Sequence, residues 1–401
     1  MTKLQQVITE TELAEAVKEK YLLKFGSENP EEIRVFRSPG RINLIGEHTD
    51  YNNGFVLPAS VDKAVYFVIS PRADDRVILY ASDLDETYSF SLSDLSKPEQ
   101  SWPHYQIGIV EQIHKKGLKI GGFQAAFGGN VPVGAGLSSS AALECCLLFA
   151  LNELFELKLD RLTIVKMAQK AENEYVGVQC GIMDQFASAF GKNESVIRLD
   201  CRSLEYEYFP FPMDDYLIVL CDTMVKHSLA SSEYNTRRLE CEKGTQILQK
   251  YDSSILSLRD TNPEFVELHR EELGDVVYRR CKFITEEIRR VQDACNLLID
   301  GDLPAFGNKM YETHQGLQHE YEVSCPELDF LVQQTIRNEA VLGSRMMGGG
   351  FGGCTINLVK KEAVPSFEIE MKKAYLDQYQ IDLPCYKVKI TDGTEEIRIV
   401  G

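Results

Sequence analysis

The sequence predicts an α/β protein of mixed α+β character that is divided into two domains. At 401 residues the chain exceeds what one ordinary core accommodates, and domain-size statistics favour two units of roughly 200 residues each. Strand-like and helix-like runs alternate along the chain, a pattern typical of sheets covered by helices. The third observation is a helix that follows a glycine-rich turn and is apolar on nearly every face from Ala141 to Leu151, apart from Glu144.

Elements of the first half follow from periodicity and from the residues that break it. A surface helix is predicted over residues 5–26, ending at Gly26, and a strand begins at Ile33. Alternating apolar residues at 61–80 predict a hairpin. The remaining helices of this half are predicted at 102–116, 141–151 and 162–178, and a strand is predicted at 123–127.

The second half is predicted to be richer in helix. Pro210 and Pro212 mark the seam between the domains, which we expect to comprise residues 1–210 and 211–401. Strand-like runs flank this seam at 195–199, 206–209 and 216–221. Helices are predicted at 277–299, 302–321 and 326–338, followed by a strand at 355–359.

Composition and charge exclude several classes of function. Hydrophobic residues make up 44% of the chain and charged residues 26%, as in ordinary folded proteins. The net charge of −18 argues against nucleic acid or an anionic membrane as a partner. The 11 cysteines include no C-x-x-C pair, so we interpret them as reduced core residues. Without a signal-peptide pattern or an apolar run of about 18 residues, we expect a cytoplasmic protein, and a monomer is compatible with the sequence.

The glycine-rich turn before the apolar helix is the strongest candidate for an anion site. The first four N–H groups of a helix lack an intrahelical partner and carry the positive end of its dipole, so bare backbone there attracts phosphate. The chain has no Gly-Lys-Ser or Gly-Lys-Thr ending of a P-loop, and Pro132 interrupts the strand that a dinucleotide fingerprint requires. By itself, the same pattern is also typical of a flexible turn before a core helix.

A dense polar stretch at 38–58 suits recognition of a polyol. Glu47 and Asp50 are acceptors and His48 can donate or accept, so together they are able to read several sugar hydroxyls. The turn dipeptide Asn53-Gly54 bounds the cluster, which makes a solvated hairpin loop the alternative interpretation.

Acidic residues further along the chain are candidates for metal binding and catalysis. Magnesium prefers hard oxygen ligands and bridges nucleotide phosphates with one or two protein groups. Glu172 and Glu174 lie on a predicted helix, and Asp184 follows the glycine of Cys180-Gly181. The alternatives are a solvated helix face for the glutamates and a helix-end carboxylate for Asp184.

Three motifs give the chain a resemblance to a known family. Residues 39–58, with Pro-Gly-Arg leading into Asn-Leu-Ile-Gly-Glu-His-Thr-Asp-Tyr-Asn, closely resemble the galactokinase motif. Residues 132–142 resemble the second motif of the galacto-, homoserine, mevalonate and phosphomevalonate (GHMP) kinase superfamily, and Gly348–Gly353 resembles the third. The motifs occur in the family's order, and the resemblance covers essentially the whole chain.

The resemblance implies a fold, a reaction, Mg²⁺ as the cofactor and ATP as the co-substrate. The implied fold is an N-terminal domain like the second domain of ribosomal protein S5 and a C-terminal ferredoxin-like domain, with the active site between them. The implied reaction moves the γ-phosphoryl group of ATP, with Mg²⁺, onto the C1 hydroxyl of α-D-galactose, the first committed step of galactose catabolism in the Leloir pathway. Asp184 would be the catalytic aspartate and Arg41 its cationic partner.

The resemblance also implies the binding residues. ATP would be held by Gly134, Ala135, Gly136, Leu137, Ser138, Ser139, Ser140 and Ser82. The sugar would be held by Glu47, His48, Thr49, Asp50, Gly181 and Tyr234. Mg²⁺ would be held by Ser140 and Glu172, with Glu174 as the alternative ligand. The glycine-rich third motif would shape the phosphate and sugar pocket without supplying a catalytic side chain.

Two other functions are compatible with these motifs. A related kinase acting on N-acetylgalactosamine or another sugar would carry the same motifs and differ only in pocket residues outside them. A catalytically silent galactose and ATP sensor belongs to a different class. Such relatives are damaged in the second motif, whereas Ser138–Ala142 is intact here.

Overall fold

The computed structural model describes residues 9–26, 29–132, 134–225 and 230–398. Strand and helix assignments below refer to these residues. The strands are β1 (Arg34–Asn43), β2 (Phe55–Val56), β3 (Pro58–Pro71), β4 (Arg76–Ala81), β5 (Glu86–Ser91), β6 (Phe123–Gly129), β7 (Ser195–Asp200), β8 (Tyr206–Pro210), β9 (Tyr216–Asp222), β10 (Val341–Met346), β11 (Cys354–Lys360), β12 (Cys385–Val388) and β13 (Glu395–Glu396).

Helices connect and cover these strands. They are α1 (Glu10–Phe25), α2 (Pro103–Lys115), α3 (Ser139–Leu154), α4 (Arg161–Lys170), α5 (Met183–Phe190), α6 (Ala230–Leu248), α7 (Pro263–Leu268), α8 (Arg270–Asp300), α9 (Leu303–His319), α10 (Pro326–Thr335) and α11 (Val364–Tyr379). A π-helical turn follows α4 at Ala171–Val176. Within the described residues, no helix is both long enough and apolar enough to cross a bilayer.

A six-stranded sheet forms the centre of the first half. Its order is β13-β1-β3-β6-β4-β5, and every neighbouring pair is antiparallel except β4 with β6. Buried apolar side chains of α2, α3 and α4 pack on one face, while α1 covers the other face through Ala14, Val17 and Tyr21. The predicted first helix is therefore confirmed where it is described, and it ends before Gly26, whose φ of +78° suits glycine.

A four-stranded antiparallel sheet of order β10-β11-β9-β12 forms the centre of the second half. Phe306 and Met310 of α9 pack on one face, and Phe367 and Tyr375 of α11 pack on the other. A third, three-stranded sheet of order β2-β7-β8 lies beside them. The predicted mixed architecture and the helix-rich second half are confirmed, although α8 begins earlier than predicted and loses helical geometry at Gly274.

The seam predicted near residue 210 falls between β8, in the three-stranded sheet, and β9, in the four-stranded sheet. After β12 the chain returns to the first half, where β13 pairs with β1 through Phe36 opposite Glu396. The division into residues 1–210 and 211–401 stays a prediction.

Helix α3 lies inside the first half and fixes the glycine-rich turn. Ala141, Ala142, Cys145 and Leu148 are fully buried between the sheet and the neighbouring helices. Because burial on every face prevents the helix from shifting, its amino end is a rigid part of the protein. The turn therefore meets loops of the second half at a defined position.

Candidate active site

A cleft of about 380 Å³ lies between the two halves of the molecule. Four parts of the chain line it: residues 41–50, 172–184, 234–235 and 348–349. Eight of the predicted site residues are among the lining residues: Arg41, Glu47, His48, Asp50, Glu172, Gly181, Asp184 and Tyr234. The structure thus brings together side chains that are far apart in the sequence.

Arg41 and Asp184 form an ion pair at the centre of the cleft. The Nε of Arg41 donates to Oδ1 of Asp184 at 2.8 Å, and its Nη1 donates to the carbonyl oxygen of Gly136 at 2.6 Å. The hydroxyl of Ser138 donates to the other carboxylate oxygen, Oδ2, at 2.7 Å. Both oxygens of Asp184 are therefore oriented, one by a strand of the first sheet and one by the glycine-rich turn.

The charges around Arg41 keep it ionised in spite of its burial. Burial acts to lower the pKa of Arg41, but the negative charges of Asp184 and Glu47 outweigh this effect and raise the pKa above its usual value. A permanently charged guanidinium beside a carboxylate provides a fixed positive charge next to a potential proton acceptor.

The glycine-rich turn leaves the amino end of α3 open. Gly134, Gly136 and Ser138 all have positive φ, at +84°, +72° and +54°. Ser138 occupies the N-cap position, yet its side chain makes no capping hydrogen bond because it points to Asp184. The first N–H groups of the helix are consequently not satisfied by that side chain, which is the arrangement an anion requires.

The third glycine-rich segment packs against this turn. Gly348, Gly350, Gly352 and Gly353 have positive φ, and so does Phe351. A side chain at Gly350 would overlap the carbonyl oxygen of Val323, the same oxygen that accepts the N–H of Phe351 at 2.7 Å. Glycine at this position is thus required by both conformation and space.

Glu47 lies in the cleft with its carboxylate held from the second half. Its Oε1 accepts the backbone N–H of Gly348 at 2.8 Å and Nη2 of Arg345 at 3.0 Å. The side chains of both Glu47 and Arg345 are almost completely buried. This carboxylate therefore joins the predicted sugar-binding loop to the third motif.

His48 is part of an aromatic cluster on the same wall of the cleft. Its Nδ1 is hydrogen-bonded to the hydroxyl of Tyr51 at 2.9 Å, and that hydroxyl bonds the hydroxyl of Tyr321 at 2.7 Å. The ring of Tyr234 lies 5.4 Å from the ring of His48. Burial lowers the pKa of His48 to about 4, so the imidazole is neutral at neutral pH.

The carboxylate of Asp50 lies directly against Gly181 in the cleft. Burial, with the charge of Asp184 as the next contribution, raises the pKa of Asp50 to about 7. A Cβ at Gly181 would overlap the carboxylate of Asp50. Glycine at 181 therefore allows this carboxyl group to reach its place in the cleft.

Glu172 faces the cleft, whereas Glu174 faces away from it. Gln185 donates to Oε2 of Glu172 at 2.6 Å. Burial raises the pKa of Glu172, the charge of Asp184 raises it further, and the hydroxyl of Ser140 acts in the opposite direction. Glu174 instead accepts hydrogen bonds from Gln112 and Lys115 on the outer side.

The hydroxyl of Ser140 and the carboxylate of Glu172 are hard oxygen donors of the kind that Mg²⁺ selects. Among the residues that the structure describes, no cluster of three or more His, Cys, Asp or Glu side chains is placed to hold a metal on its own. A magnesium ion shared with nucleotide phosphates needs only one or two protein ligands, so the pair fits that requirement.

Nine predicted binding residues do not line the cleft: residues 134–140 of the glycine-rich turn, described above, and Thr49 and Ser82. The hydroxyl of Thr49 donates to the carbonyl oxygens of Gly46 and Phe55, at 2.9 and 2.6 Å, and the side chain is fully buried. The side chain closes the turn of the sugar-binding loop, and the sugar contact of Thr49 stays a prediction. Ser82 lies at the end of β4, where its N–H bonds Phe127, beside the strand that leads into the glycine-rich turn.

Sequence reasoning missed several residues that shape the cleft. Arg345, Tyr321 and Gln185 hold Glu47, Tyr51 and Glu172 in place through the contacts described above. Arg345 stands three residues before the third motif, and neither strand β10 nor the burial of this side chain was predicted from the sequence. Tyr321 gave no signal, because a tyrosine near the end of a helix is most often a packing residue.

Profiles of three protein families match this chain. GHMP kinases N terminal domain matches residues 104–192, and GHMP kinases C terminal matches residues 287–375. Galactokinase galactose-binding signature matches residues 19–71, which include β1 and the loop carrying Glu47.

Known proteins are similar over nearly the full length. The chain is 41% identical to the galactokinase of Thermotoga neapolitana over 363 residues, which are 90% of this chain and 99% of that protein. It is 42% identical to the galactokinase of Clostridium acetobutylicum over 368 residues, covering 90% and 94% of the two chains.

Solved structures are also similar to this chain over nearly its full length. The crystal structure of Lactococcus lactis galactokinase complexed with galactose superposes with a TM-score of 0.91 at 36% identity, covering 96% of this chain and 99% of that one. Mevalonate kinase of Methanococcus jannaschii superposes with a TM-score of 0.66 at 16% identity, covering 90% and 99%, and shares the fold.

Proposed function

The chain belongs to the galactokinase family of the GHMP kinases, and from this premise we propose how its cleft transfers the γ-phosphoryl group of ATP to the C1 hydroxyl of α-D-galactose. The observation that carries the proposal is the carboxylate of Asp184, oriented by Arg41 and Ser138 at the meeting point of the sugar-binding loop and the glycine-rich turn. Products are ADP and α-D-galactose 1-phosphate.

In the proposed mechanism Asp184 orients the C1 hydroxyl and accepts its proton. The C1 oxygen attacks the γ-phosphorus while the bond from that phosphorus to the β-γ bridging oxygen breaks, which releases ADP. Arg41 balances the charge that grows on the transferred group, since its guanidinium stays positive. Phosphoryl transfer depends mainly on positioning and electrostatics, so this pair and the open helix end meet the chemical requirement.

ATP is proposed to lie with its phosphates at the amino end of α3. Backbone N–H groups of Gly134–Ser140 would hold the phosphates, and Ser82 would line the adenosine side. Ser140 and Glu172 would hold Mg²⁺, and Glu174 is excluded from the proposal because it pairs with Lys115. When bound, the metal supplies positive charge that neutralises the phosphate oxygens and aligns them.

Galactose is proposed to be read by the lining residues of the opposite wall. The carboxylate of Glu47 accepts hydrogen bonds from sugar hydroxyls, and the neutral ring of His48 forms an uncharged hydrogen bond. Asp50 and Tyr234 contact further hydroxyls, and Gly181, which leaves room for the Asp50 carboxylate, lines the pocket beside them. The specificity for galactose would then depend on several buried polar groups that a wrong sugar leaves unpaired.

The proposed working unit is a single chain in the cytoplasm. The proposed mechanism uses only residues of one chain. All 11 cysteines are free thiols, which matches a reducing compartment.

The test is release of ADP from Mg·ATP by the purified protein with galactose, N-acetylgalactosamine, glucose and arabinose, each over a range of concentrations. We expect saturable turnover with galactose far above that with the other sugars. Preference for N-acetylgalactosamine would instead identify a related sugar kinase. Galactose binding by calorimetry without ADP release from any sugar would identify a sensor and contradict the proposal.

Replacing the proposed base is the mechanistic test. Asp184→Ala removes the proton acceptor and the partner of Arg41, so we expect kcat to fall by about 10²-fold or more with the fold retained. Circular dichroism and urea unfolding check the fold, and single-turnover ADP release measures the chemical step. A near wild-type kcat would show that Asp184 has no chemical role.

A further inference from the structure

Arg345 is a fully buried arginine whose guanidinium spans the two halves of the molecule. It lies in β10 of the second half, and Nε donates to the carbonyl oxygen of Leu44 at 2.6 Å in the first half. Its Nη1 donates to the carbonyl oxygen of Met346 at 2.6 Å, and Nη2 bonds the carbonyl oxygen of Asn43. These contacts attach Arg345 to the chain immediately before the sugar-binding loop.

The same guanidinium provides the charge partner of Glu47. Nη2 of Arg345 lies 3.0 Å from Oε1 of Glu47, and the N–H of Gly348 donates to this same oxygen at 2.8 Å. Glu47 is only 2% exposed. Two donors from the second half thus occupy Oε1, which leaves Oε2 as the oxygen for a ligand hydroxyl.

The contacts of Arg345 indicate that it positions the Glu47 carboxylate in addition to anchoring strand β10. Carbonyl oxygens could satisfy a buried guanidinium, but a buried carboxylate without a cation is strongly disfavoured. The planar fork of arginine fixes the direction of each hydrogen bond, so a bond to Glu47 also fixes the rotation of its carboxylate. Lysine, a point charge with rotating donors, is unable to serve all four acceptors at once.

We propose that Arg345 is a positioning residue for the sugar: it fixes the Glu47 carboxylate so that one oxygen is bound to the second half and the other is presented to galactose. Arg345 acts through Glu47 and does not itself touch the sugar. The inference rests on the proposed function, in which Glu47 contacts galactose. It makes sugar affinity depend on the docking of the glycine-rich segment at Gly348 against the first half.

The experiment compares Arg345→Lys, Arg345→Met, Glu47→Gln and the double variant Glu47→Gln/Arg345→Lys. We expect Arg345→Lys to raise KM for galactose by about 10- to 100-fold, the range for loss of an oriented hydrogen bond to a charged group, while KM for ATP and kcat change little. In the double variant the effect of Arg345→Lys on KM for galactose should disappear, because the group that it positions is altered.

A purely structural role is separated by a matched control. Arg37 is 1% exposed, lies in β1, and bonds the carbonyl oxygen of Asp392 outside the cleft. Arg37→Lys should lower stability in urea unfolding and leave KM for galactose unchanged. If Arg345→Met does not fold, Arg345→Lys decides the question, since it keeps the charge and nearly the same volume.

Three results would overturn the inference, and they differ in meaning. If Glu47→Gln raises KM for galactose but Arg345→Lys does not, Arg345 has no positioning role and the proposed sugar contact stands. If Glu47→Gln leaves KM for galactose unchanged, the sugar contact of Glu47 is itself wrong and the inference fails with it. Equal effects of Arg345→Lys in the presence and absence of the Glu47 carboxylate would also contradict it.

Discussion

Asp50 carries a proton at a pH at which an exposed aspartate would have lost it. Burial, together with the charge of Asp184, raises its pKa from the usual 3.8 to about 7. Between these two values the folded protein binds more protons at this site than the unfolded chain does. The free energy of unfolding therefore decreases as pH rises through this window.

Asp50→Asn should remove this pH dependence. Relative to wild type, we expect the variant to gain stability between pH 5 and pH 8, on the order of 2 kcal/mol, because one pKa unit corresponds to about 1.4 kcal/mol and partial exposure reduces the full effect. Urea unfolding at both pH values measures the difference. Asp382→Asn, at an exposed position, is the control. An identical offset from wild type at both pH values would argue against a raised pKa.

At the scale of single residues, the sequence predicted side chains but not the bonds between them. Arg41 and Asp184 were predicted as partners from the family motifs, and they lie 2.8 Å apart. Ser138 was predicted to contact ATP, and its bond to Asp184 could not be foreseen because Ser138 has positive φ. Arg345 and Glu47 are separated by 298 positions, so no local pattern links them.

Among the elements, the third glycine-rich segment shows how backbone geometry sets the shape of the cleft. Four of its glycines have positive φ, a conformation that glycine adopts most easily, and Gly350 lies against the backbone of Val323. From the sequence we expected this segment to shape the pocket, but the backbone contacts that require glycine are made by Val225 and Val323, which the glycine pattern does not indicate.

Gly350→Ala and Gly117→Ala separate the two reasons for glycine. Both positions have positive φ, but a Cβ at Gly117 meets nothing within 4 Å. We expect Gly117→Ala to lower the free energy of unfolding by about 1 kcal/mol from conformational strain. Gly350→Ala should lower it by at least about 2 kcal/mol more, because its methyl group also overlaps a carbonyl oxygen. Urea unfolding compares the two variants. Equal losses in the free energy of unfolding would show that the structure accommodates the added methyl group at Gly350 without further cost.

The π-helical turn Ala171–Val176 explains why helical periodicity alone could not choose between Glu172, which the family resemblance favoured, and Glu174 as the metal ligand. Residues two positions apart on a helix point to different sides, so only one of Glu172 and Glu174 could face the cleft. A π-turn changes the angular spacing of the side chains, and helical periodicity does not predict it. Such turns occur frequently at functional sites.

At the scale of the whole molecule, the last strand connects the two ends of the described chain. Thr391, Gly393 and Thr394 bond the backbone of Ser60, Gly191 and Ser188, and β13 then forms the edge of the first sheet. This return was not predicted, since the segment after residue 384 lacks a distinctive periodicity. The overall α/β class was predictable because it depends on the local alternation of strands and helices. The pairing of β13 with β1 depends instead on residues far apart in the sequence.

A chain that stops after Ile390 should lose several kcal/mol of stability. Truncation removes the carbonyl oxygen of Asp392 and the hydroxyl of Thr391, both acceptors for the buried guanidinium of Arg37. A hydrogen bond to a charged group contributes about 1.5–3 kcal/mol, and two are lost, although Arg37 keeps its ion pair with Glu10. Urea unfolding of the truncated protein measures the loss. Arg37→Met should be less destabilising in the truncated chain than in the full chain, and an equal effect in both would exclude Arg37 as the main cause.

The pairing of β13 with β1 also sets a condition on the order of events during synthesis. Arg34 and its partner Glu396 are 362 positions apart, so the first sheet lacks its edge strand until the ribosome has translated almost everything in between. During this interval the nascent chain would expose an unpaired β1 edge, and such an edge is prone to association with other chains. We therefore expect a chain that lacks β13 to associate more readily than the full chain, because its β1 edge has no partner strand.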